Sequence, residues 1–173
     1  MTGTIRILYV DDETSLLDIG KLFLEMDGTF AVDTFTSVSE ALTQLKMERY
    51  DAILSDYQMP EMDGITFLKQ IRASENKTPF IIFTGRGRED VVIEALNNGA
   101  DFYIQKGGEP KSQFAELSNK IRYAVSKKHS EEALGESAAY CLCYACAVSL
   151  PETTEYNFQN CSNIQIYTNP GVY

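Results

Sequence analysis

The first 140 residues of this chain contain no cysteine, and the four cysteines of the chain lie in its last third. A disulfide framework therefore does not hold the main part of the chain together. No apolar run approaches the roughly 18 residues that span a bilayer, and the N-terminus lacks the layout of a signal peptide. Basic residues are also few, since 15 Lys and Arg stand against 25 Asp and Glu, for a formal net charge of -10. This charge argues against non-specific nucleic-acid binding and against binding to an anionic membrane surface, and we expect a cytoplasmic protein.

The sequence does contain a regular alternation of short apolar segments and amphipathic segments. Five strands are predicted, at residues 5–10, 31–35, 52–56, 80–84 and 101–105. Five segments with apolar residues at helical spacing predict helices, the last from about Ser112 to Lys128. This alternation indicates a doubly wound parallel sheet with helices on both faces. Five units in about 125 residues favour the flavodoxin-like strand order 2-1-3-4-5, and no Gly-x-Gly-x-x-Gly follows the first strand to indicate dinucleotide binding.

Polar residues stand where the predicted strands end. They are Asp11 and Asp12 after strand one, Asp56 at the end of strand three, Thr84 at the end of strand four and Lys106 after strand five. Because the carboxyl ends of parallel strands share one edge, we expect these side chains to gather there. Three carboxylates in one crevice repel each other unless a cation lies among them, and oxygen ligands suit Mg²⁺. Each residue alone would usually be no more than a solvated loop residue, but together they supply what phosphoryl transfer to a carboxylate needs.

These residues also match the pattern of a known family. The pattern is an acidic pair after strand one, Asp56 and then Met-Pro-Glu-Met-Asp-Gly at 59–64 after strand three, Thr after strand four and Lys after strand five. On these motifs, residues 4 to about 128 resemble the receiver domain of two-component response regulators. We therefore predict a receiver domain at residues 1–128, followed by a linker and tail at residues 129–173.

The resemblance implies a phosphorylation-activated signalling switch. Asp56 would accept a phosphoryl group from a sensor histidine kinase. Asp12 and Asp56 would bind Mg²⁺ directly, Asp11 would help through water, and the carbonyl of Gln58 would complete the ligand set. By the same resemblance the chain is not an enzyme, but a phosphoacceptor that catalyses its own phosphotransfer and dephosphorylation.

Three more residues would convert phosphorylation into a change of shape. Lys106 would contact the phosphoryl oxygens, Thr84 would move to hydrogen-bond the phosphate, and Tyr103 would swing inward when Thr84 moves. Phosphate adds about -1.5 to -2 charges, so these contacts form only in the modified state and bias a two-state element. The face made by helix four, strand five and helix five would then change for a protein partner, and it is also a candidate homodimer surface. A half-buried strand aromatic is the alternative interpretation of Tyr103.

Two other functions stay open on the sequence alone. One is a receiver-like binding module that takes no phosphate, which the intact set of strand-end residues disfavours. The other is an aspartyl-phosphate hydrolase, which typically needs a second Asp two residues after the nucleophile. This chain has Gln58 at that position.

The predicted tail has a different composition. Residues 129–134 resemble the helical linkers that join receivers to sensor or kinase modules, and the helical pattern lapses after Gly135. Residues 131–173 contain five Glu and no Lys or Arg, and no helix-turn-helix pattern is visible, which disfavours a DNA-binding output. The spacing Cys-x-Cys-x-x-Cys at 141–146 departs from the usual zinc patterns, so we expect a poorly ordered tail rather than a metal site.

Overall fold

The computed structural model describes residues 3–85 and 89–148, with side chains described up to residue 134 apart from those of 89 and 90. Over these residues, strands and helices alternate along the chain. They are β1 (Ile5–Val10), α1 (Thr14–Glu25), β2 (Phe30–Phe35), α2 (Val38–Met47), β3 (Ala52–Ser55), α3 (Gly64–Ala73), β4 (Phe80–Thr84), α4 (Glu89–Asn97), β5 (Phe102–Gln105) and α5 (Pro110–Val148). In the part of the chain so described, no helix is long and apolar enough to cross a membrane.

The strands form one parallel sheet in the order β2-β1-β3-β4-β5. This is the predicted flavodoxin-like order, and the prediction is confirmed. Every residue of β3 and of β4 is buried, as expected for central strands that carry helices on both faces. The pairing of β1 with β3 sets Val10 opposite Ser55, so the residues that follow these two strands begin side by side.

The sheet divides the hydrophobic core into two clusters. Ile7 and Tyr9 of β1 belong to the cluster with α1 and α5, whereas Leu8 and Val10 belong to the cluster with α2, α3 and α4. This follows from the strand geometry, because successive side chains point to opposite faces. The fifth helix packs its apolar face into the first of these clusters or against it, and four of its residues on that face are buried: Phe114, Leu117, Ile121 and Ala124.

Helix α5 is longer than the sequence predicted. The prediction ended this helix near Lys128 and expected the helical pattern to lapse after Gly135, but α5 continues to Val148. The amphipathic pattern does fade there, yet residues 133–148 include five alanines, the strongest helix formers. One glycine costs a helix only about 1 kcal/mol, so local propensity sustains the helix where periodicity gives no signal.

Contacts between α carbons divide the chain into two units, Met1–Ala133 and Leu134–Tyr173. The predicted boundary between residues 128 and 129 stays a prediction. The tail predicted to be poorly ordered lies outside the described residues from position 149 onward, and so do the cysteine side chains.

Arg72 of α3 connects three carbonyl groups near the amino ends of β4 and β5. Its Nη1 donates to the carbonyls of Asn76 and Thr78, both at 2.9 Å, and its Nη2 donates to the carbonyl of Gly99 at 2.9 Å. Burial lowers the pKa of the guanidinium, and the charge of Asp101 opposes that shift. The guanidinium is a planar fork of five donors and can serve several carbonyls at once, whereas a single ammonium group does not match their geometry.

We therefore expect Arg72→Lys to lower the free energy of unfolding by about 2 kcal/mol, because carbonyls are left without a donor. Lys69→Gln is the matched control, three residues earlier on the same helix. It removes an exposed ion pair with Glu94 and should cost less than about 0.5 kcal/mol. Urea denaturation of both variants gives the comparison, and equal losses would show that the three carbonyl contacts contribute little.

Candidate functional site

The carboxyl ends of β1, β3 and β5 bring together residues that are far apart in sequence. Asp11 follows β1, Asp56 follows β3 and Lys106 follows β5. The Nζ atom of Lys106 lies 2.6 Å from Oδ2 of Asp11 and 2.7 Å from Oδ1 of Asp56. The side chains of Asp11, Asp56 and Lys106 are 1%, 8% and 14% exposed, so this cluster is nearly closed to solvent. The structure brings these three side chains together at one edge of the sheet, where the sequence predicted them.

Asp11 accepts hydrogen bonds from two further donors. The Tyr9 hydroxyl donates to its Oδ2 at 3.1 Å, and the N–H of Glu13 donates to its Oδ1 at 3.1 Å. Burial, followed by the charge of Asp11, raises the pKa of Tyr9 far above its ordinary range, so the phenol keeps its proton and is the donor. Sequence reasoning missed Tyr9. The available signal was a tyrosine two residues before an acid on the same face of a strand.

Asp56 is held by two elements of the chain. Its own N–H donates to the carbonyl of Val10 at 2.9 Å, which ties the end of β3 to β1. Its Oδ2 accepts the N–H of Gln58 at 2.6 Å, while Oδ1 faces Lys106. Burial raises the pKa of Asp56, and the hydrogen bond and charge of Lys106 offset that rise only in part. Additional positive charge near this carboxylate would therefore favour its ionised form.

Lys106 keeps its charge although it is largely buried. Burial is the largest single influence and lowers its pKa, but the hydrogen bonds and charges of Asp11 and Asp56 together outweigh it and raise the pKa above the ordinary value. Two carboxylates and one ammonium leave the cluster with one net negative charge. The cluster therefore has capacity for a further cation.

The turn after β3 fixes Asp56 from the other side. The N–H of Gly64 donates to the carbonyl of Tyr57 at 2.9 Å, and the Asp63 side chain caps α3 by accepting the N–H of Thr66 at 2.7 Å. A Cβ atom at position 64 would overlap the carbonyl oxygen of Asp56. The Asp-Gly pair of the Met-Pro-Glu-Met-Asp-Gly motif thus starts α3 and lets its backbone approach Asp56.

Thr84 and Tyr103 lie on the neighbouring strands. Thr84 ends β4 and is 1% exposed, and its carbonyl accepts the N–H of Lys106 at 2.7 Å. Tyr103 is half-buried and packs against the cluster of α2, α3 and α4. It pairs in register with Ile82, two residues before Thr84. The switch roles of both residues stay predictions.

Asp12 and Gln58 have exposed side chains at this edge. Among the side chains described at residues 3–85 and 91–134, no three of His, Cys, Asp and Glu are grouped closely enough to hold a metal ion. The expected crevice of three carboxylates is therefore a pair of carboxylates with Lys106 between them. Carboxylates at a strand edge are nevertheless the hard oxygen donors that suit Mg²⁺, and the pair carries excess negative charge.

The loop after Lys106 has a conformation that only glycine adopts easily. Gly107 and Gly108 have φ angles of +154° and +89°. A proline, whose ring fixes φ at about -65°, could adopt neither of these two angles.

Comparisons with known proteins show the family of this chain. A family model described as the response regulator receiver domain matches residues 7–121. The response regulator SaeR of Staphylococcus aureus (strain USA300) is 34% identical over 114 residues, which cover 66% of this chain and 49% of SaeR. The chain thus spans about half the length of the curated relatives it matches.

Solved structures give the same result for the fold. The receiver domain protein from Clostridium thermocellum is 31% identical, with a TM-score of 0.65, and the match covers 72% of this chain and 97% of that one. The beryllofluoride-activated NtrC4 receiver domain dimer is 28% identical, with a TM-score of 0.63 and coverage of 73% and 98%. The predicted resemblance and fold are confirmed.

One prediction was wrong. From the resemblance we expected a phosphoacceptor that is not an enzyme but catalyses its own phosphotransfer and dephosphorylation. The matched family and relatives are receiver domains and response regulators, and they carry no positive sign of such enzymatic activity.

Proposed function

Because the chain belongs to the response regulator receiver domain family, we propose that it is a phosphorylation-activated switch of a two-component phosphorelay. Asp56 accepts the phosphoryl group, and a sensor histidine kinase supplies it. The observation that supports this most directly is the ammonium of Lys106, held 2.7 Å from Oδ1 of Asp56 in a nearly closed cluster. A phosphoryl group on Asp56 would carry its negative oxygens into reach of that cation.

In the proposed reaction, a carboxylate oxygen of Asp56 forms a bond to phosphorus while the bond from phosphorus to the kinase histidine breaks. The electron pair of the broken bond stays on the imidazole, which takes up a proton. The N–H of Gln58 already occupies Oδ2 of Asp56 at 2.6 Å. Lys106 faces Oδ1 and stands where phosphoryl charge would lie.

Receiver domains generally bind Mg²⁺ at the phosphorylation site, and we propose the same for this chain. Asp12 and Asp56 would hold the ion directly, Asp11 through water, and Gln58 through its carbonyl. The net negative charge of the cluster supports this proposal, and the Asp12 side chain is exposed at the same edge of the sheet. When bound, Mg²⁺ would supply neutralisation of the phosphoryl charge.

The output of the switch is proposed to be a protein contact. Lys106 and Thr84 would bind the phosphate, and Tyr103 would follow Thr84 inward. The face of α4, β5 and α5 presents the exposed apolar side chains Ile93, Leu96 and Tyr123, which support a protein partner there or a homodimer. The NtrC4 receiver was solved as a dimer. We propose that this signalling takes place in the cytoplasm.

Asp56→Asn tests the acceptor. The parent protein, incubated with acetyl phosphate and Mg²⁺, should gain the mass of one phosphoryl group, and Asp56→Asn should gain none. Asp51→Asn is the control, because Asp51 is a partly buried carboxylate away from the site that accepts the N–H of Arg6 at the amino end of β1. It should be labelled like the parent. Equal labelling of Asp56→Asn in intact-mass spectra would refute the assignment.

A further inference from the structure

The phenol ring of Tyr9 is fixed within the core. The residue is fully buried in the cluster formed with α1 and α5. A Cβ atom at Gly20 of α1 would lie only 2.7 Å from Cε1 of Tyr9 and 3.4 Å from Cε1 of Phe114. The ring therefore fits because residue 20 has no side chain. Its hydroxyl is directed at Oδ2 of Asp11, 3.1 Å away.

The same oxygen of Asp11 also accepts Lys106, and this sharing matters for the switch. Lys106 bonds Asp11 and Asp56 at once, and in the phosphorylated state it would turn to the phosphoryl oxygens. Asp11 would then keep two donors, the Tyr9 hydroxyl on Oδ2 and the N–H of Glu13 on Oδ1. One donor on each oxygen is enough to fix the plane of a carboxylate.

We propose that Tyr9 is a positioning residue: it keeps the Asp11 carboxylate directed into the site independently of Lys106, and it thereby tightens Mg²⁺ binding. This inference rests on the proposed function. Groups that orient a metal ligand by a hydrogen bond commonly change metal affinity when they are removed. A phenylalanine at position 9 would fill the same space beside Gly20 without the donor.

The test compares Tyr9→Phe with Tyr50→Phe. Tyr50 is equally a buried tyrosine, and its hydroxyl donates to Oδ2 of Asp33 at 2.7 Å, away from the site. Titration calorimetry with Mg²⁺ alone should show affinity about tenfold weaker for Tyr9→Phe and unchanged for Tyr50→Phe. In metal-free protein, the ¹³C carboxyl resonance of Asp11 should shift in Tyr9→Phe and stay in place in Tyr50→Phe.

The outcomes separate this inference from the proposed function. If Mg²⁺ binding depends on Asp56 but Tyr9→Phe binds like the parent, the positioning role is refuted while the proposed function stands. If both phenylalanine variants weaken binding equally, Tyr9 acts through stability alone and the inference fails. If the parent and Asp56→Asn bind Mg²⁺ equally, the proposed metal role falls, and the inference falls with it.

Discussion

Gly64→Ala should lower the free energy of unfolding by about 3 kcal/mol, at the upper end of what overpacking usually costs. The added methyl group would overlap the carbonyl oxygen of Asp56 and come within 3.2 Å of Oγ of Ser55. Both neighbours belong to the carboxyl end of a central strand whose residues are all buried. A flexible side chain could move aside, but this backbone cannot do so without shifting β3 or the start of α3.

The measurement is chemical denaturation of the variant beside Gly85→Ala. Gly85 follows β4 at the same edge of the sheet, and a Cβ atom there would meet no atom of the described residues within 4 Å. Gly85→Ala should therefore change stability by less than about 1 kcal/mol. A Gly64→Ala protein as stable as Gly85→Ala would mean that the turn relaxes easily.

The same substitution should impair the site, because the displaced atom belongs to Asp56 itself. If Gly64→Ala remains folded, we expect slower incorporation of phosphoryl groups than in Gly85→Ala under the same conditions. The glycine of this motif thus has a steric role that connects stability and function at one position.

Lys106→Met should cost about 3 kcal/mol near neutral pH, because removing one partner of a buried ion pair leaves the other charges uncompensated. The side chains of Asp11 and Asp56 are 1% and 8% exposed, so water cannot replace the ammonium. Methionine keeps much of the volume of the lysine stem, so the loss reports chiefly on charge.

The pH dependence of this loss has a definite sign. The pKa of Asp56 is already raised above 3.8 in the folded protein, so its contribution to stability is greatest below that value and declines as pH rises through the folded pKa. Lys106 holds this pKa down, and its removal raises it further. The deficit of Lys106→Met relative to the parent should therefore be largest at neutral pH and shrink as pH falls toward 3.8.

Urea denaturation of the parent and Lys106→Met across this range measures the effect. Adding Asp56→Asn to Lys106→Met should recover part of the lost stability at neutral pH, since one unpaired charge is gone. A deficit that does not change with pH, and no recovery in the double variant, would mean that packing of the lysine stem rather than its charge supports the cluster.

The convergence of Asp11, Asp56 and Lys106 could be predicted because it depends only on apolar periodicity and on the topology of parallel strands. The position of Asp12 could not be derived in the same way. Asp12 lies two residues beyond the end of β1, where strand periodicity no longer determines which way a side chain points. Lys106 was assigned to phosphate alone, whereas its long stem also lets it neutralise both carboxylates.

Other features could not be predicted from the sequence, for different physical reasons. In the sequence Tyr9 looks like any aromatic residue of a buried strand. Only the hydrogen bond from its hydroxyl to Asp11 reveals a second role. The close approach of Gly64 to Asp56 depends on how the turn folds back, although the Asp-Gly pair marked the turn itself. The extension of α5 follows from alanine content, which has no amphipathic period to reveal it.

Because the sheet divides the core, substitutions in this sequence can accumulate separately on its two sides during evolution. Side chains of the α1 and α5 cluster do not share the packing of the α2, α3 and α4 cluster. Substitutions in separate contact networks usually have additive effects. Each cluster can therefore accumulate compensating substitutions independently of the other. Strand β1 contributes alternate residues to both clusters, so its substitutions must fit two sets of neighbours.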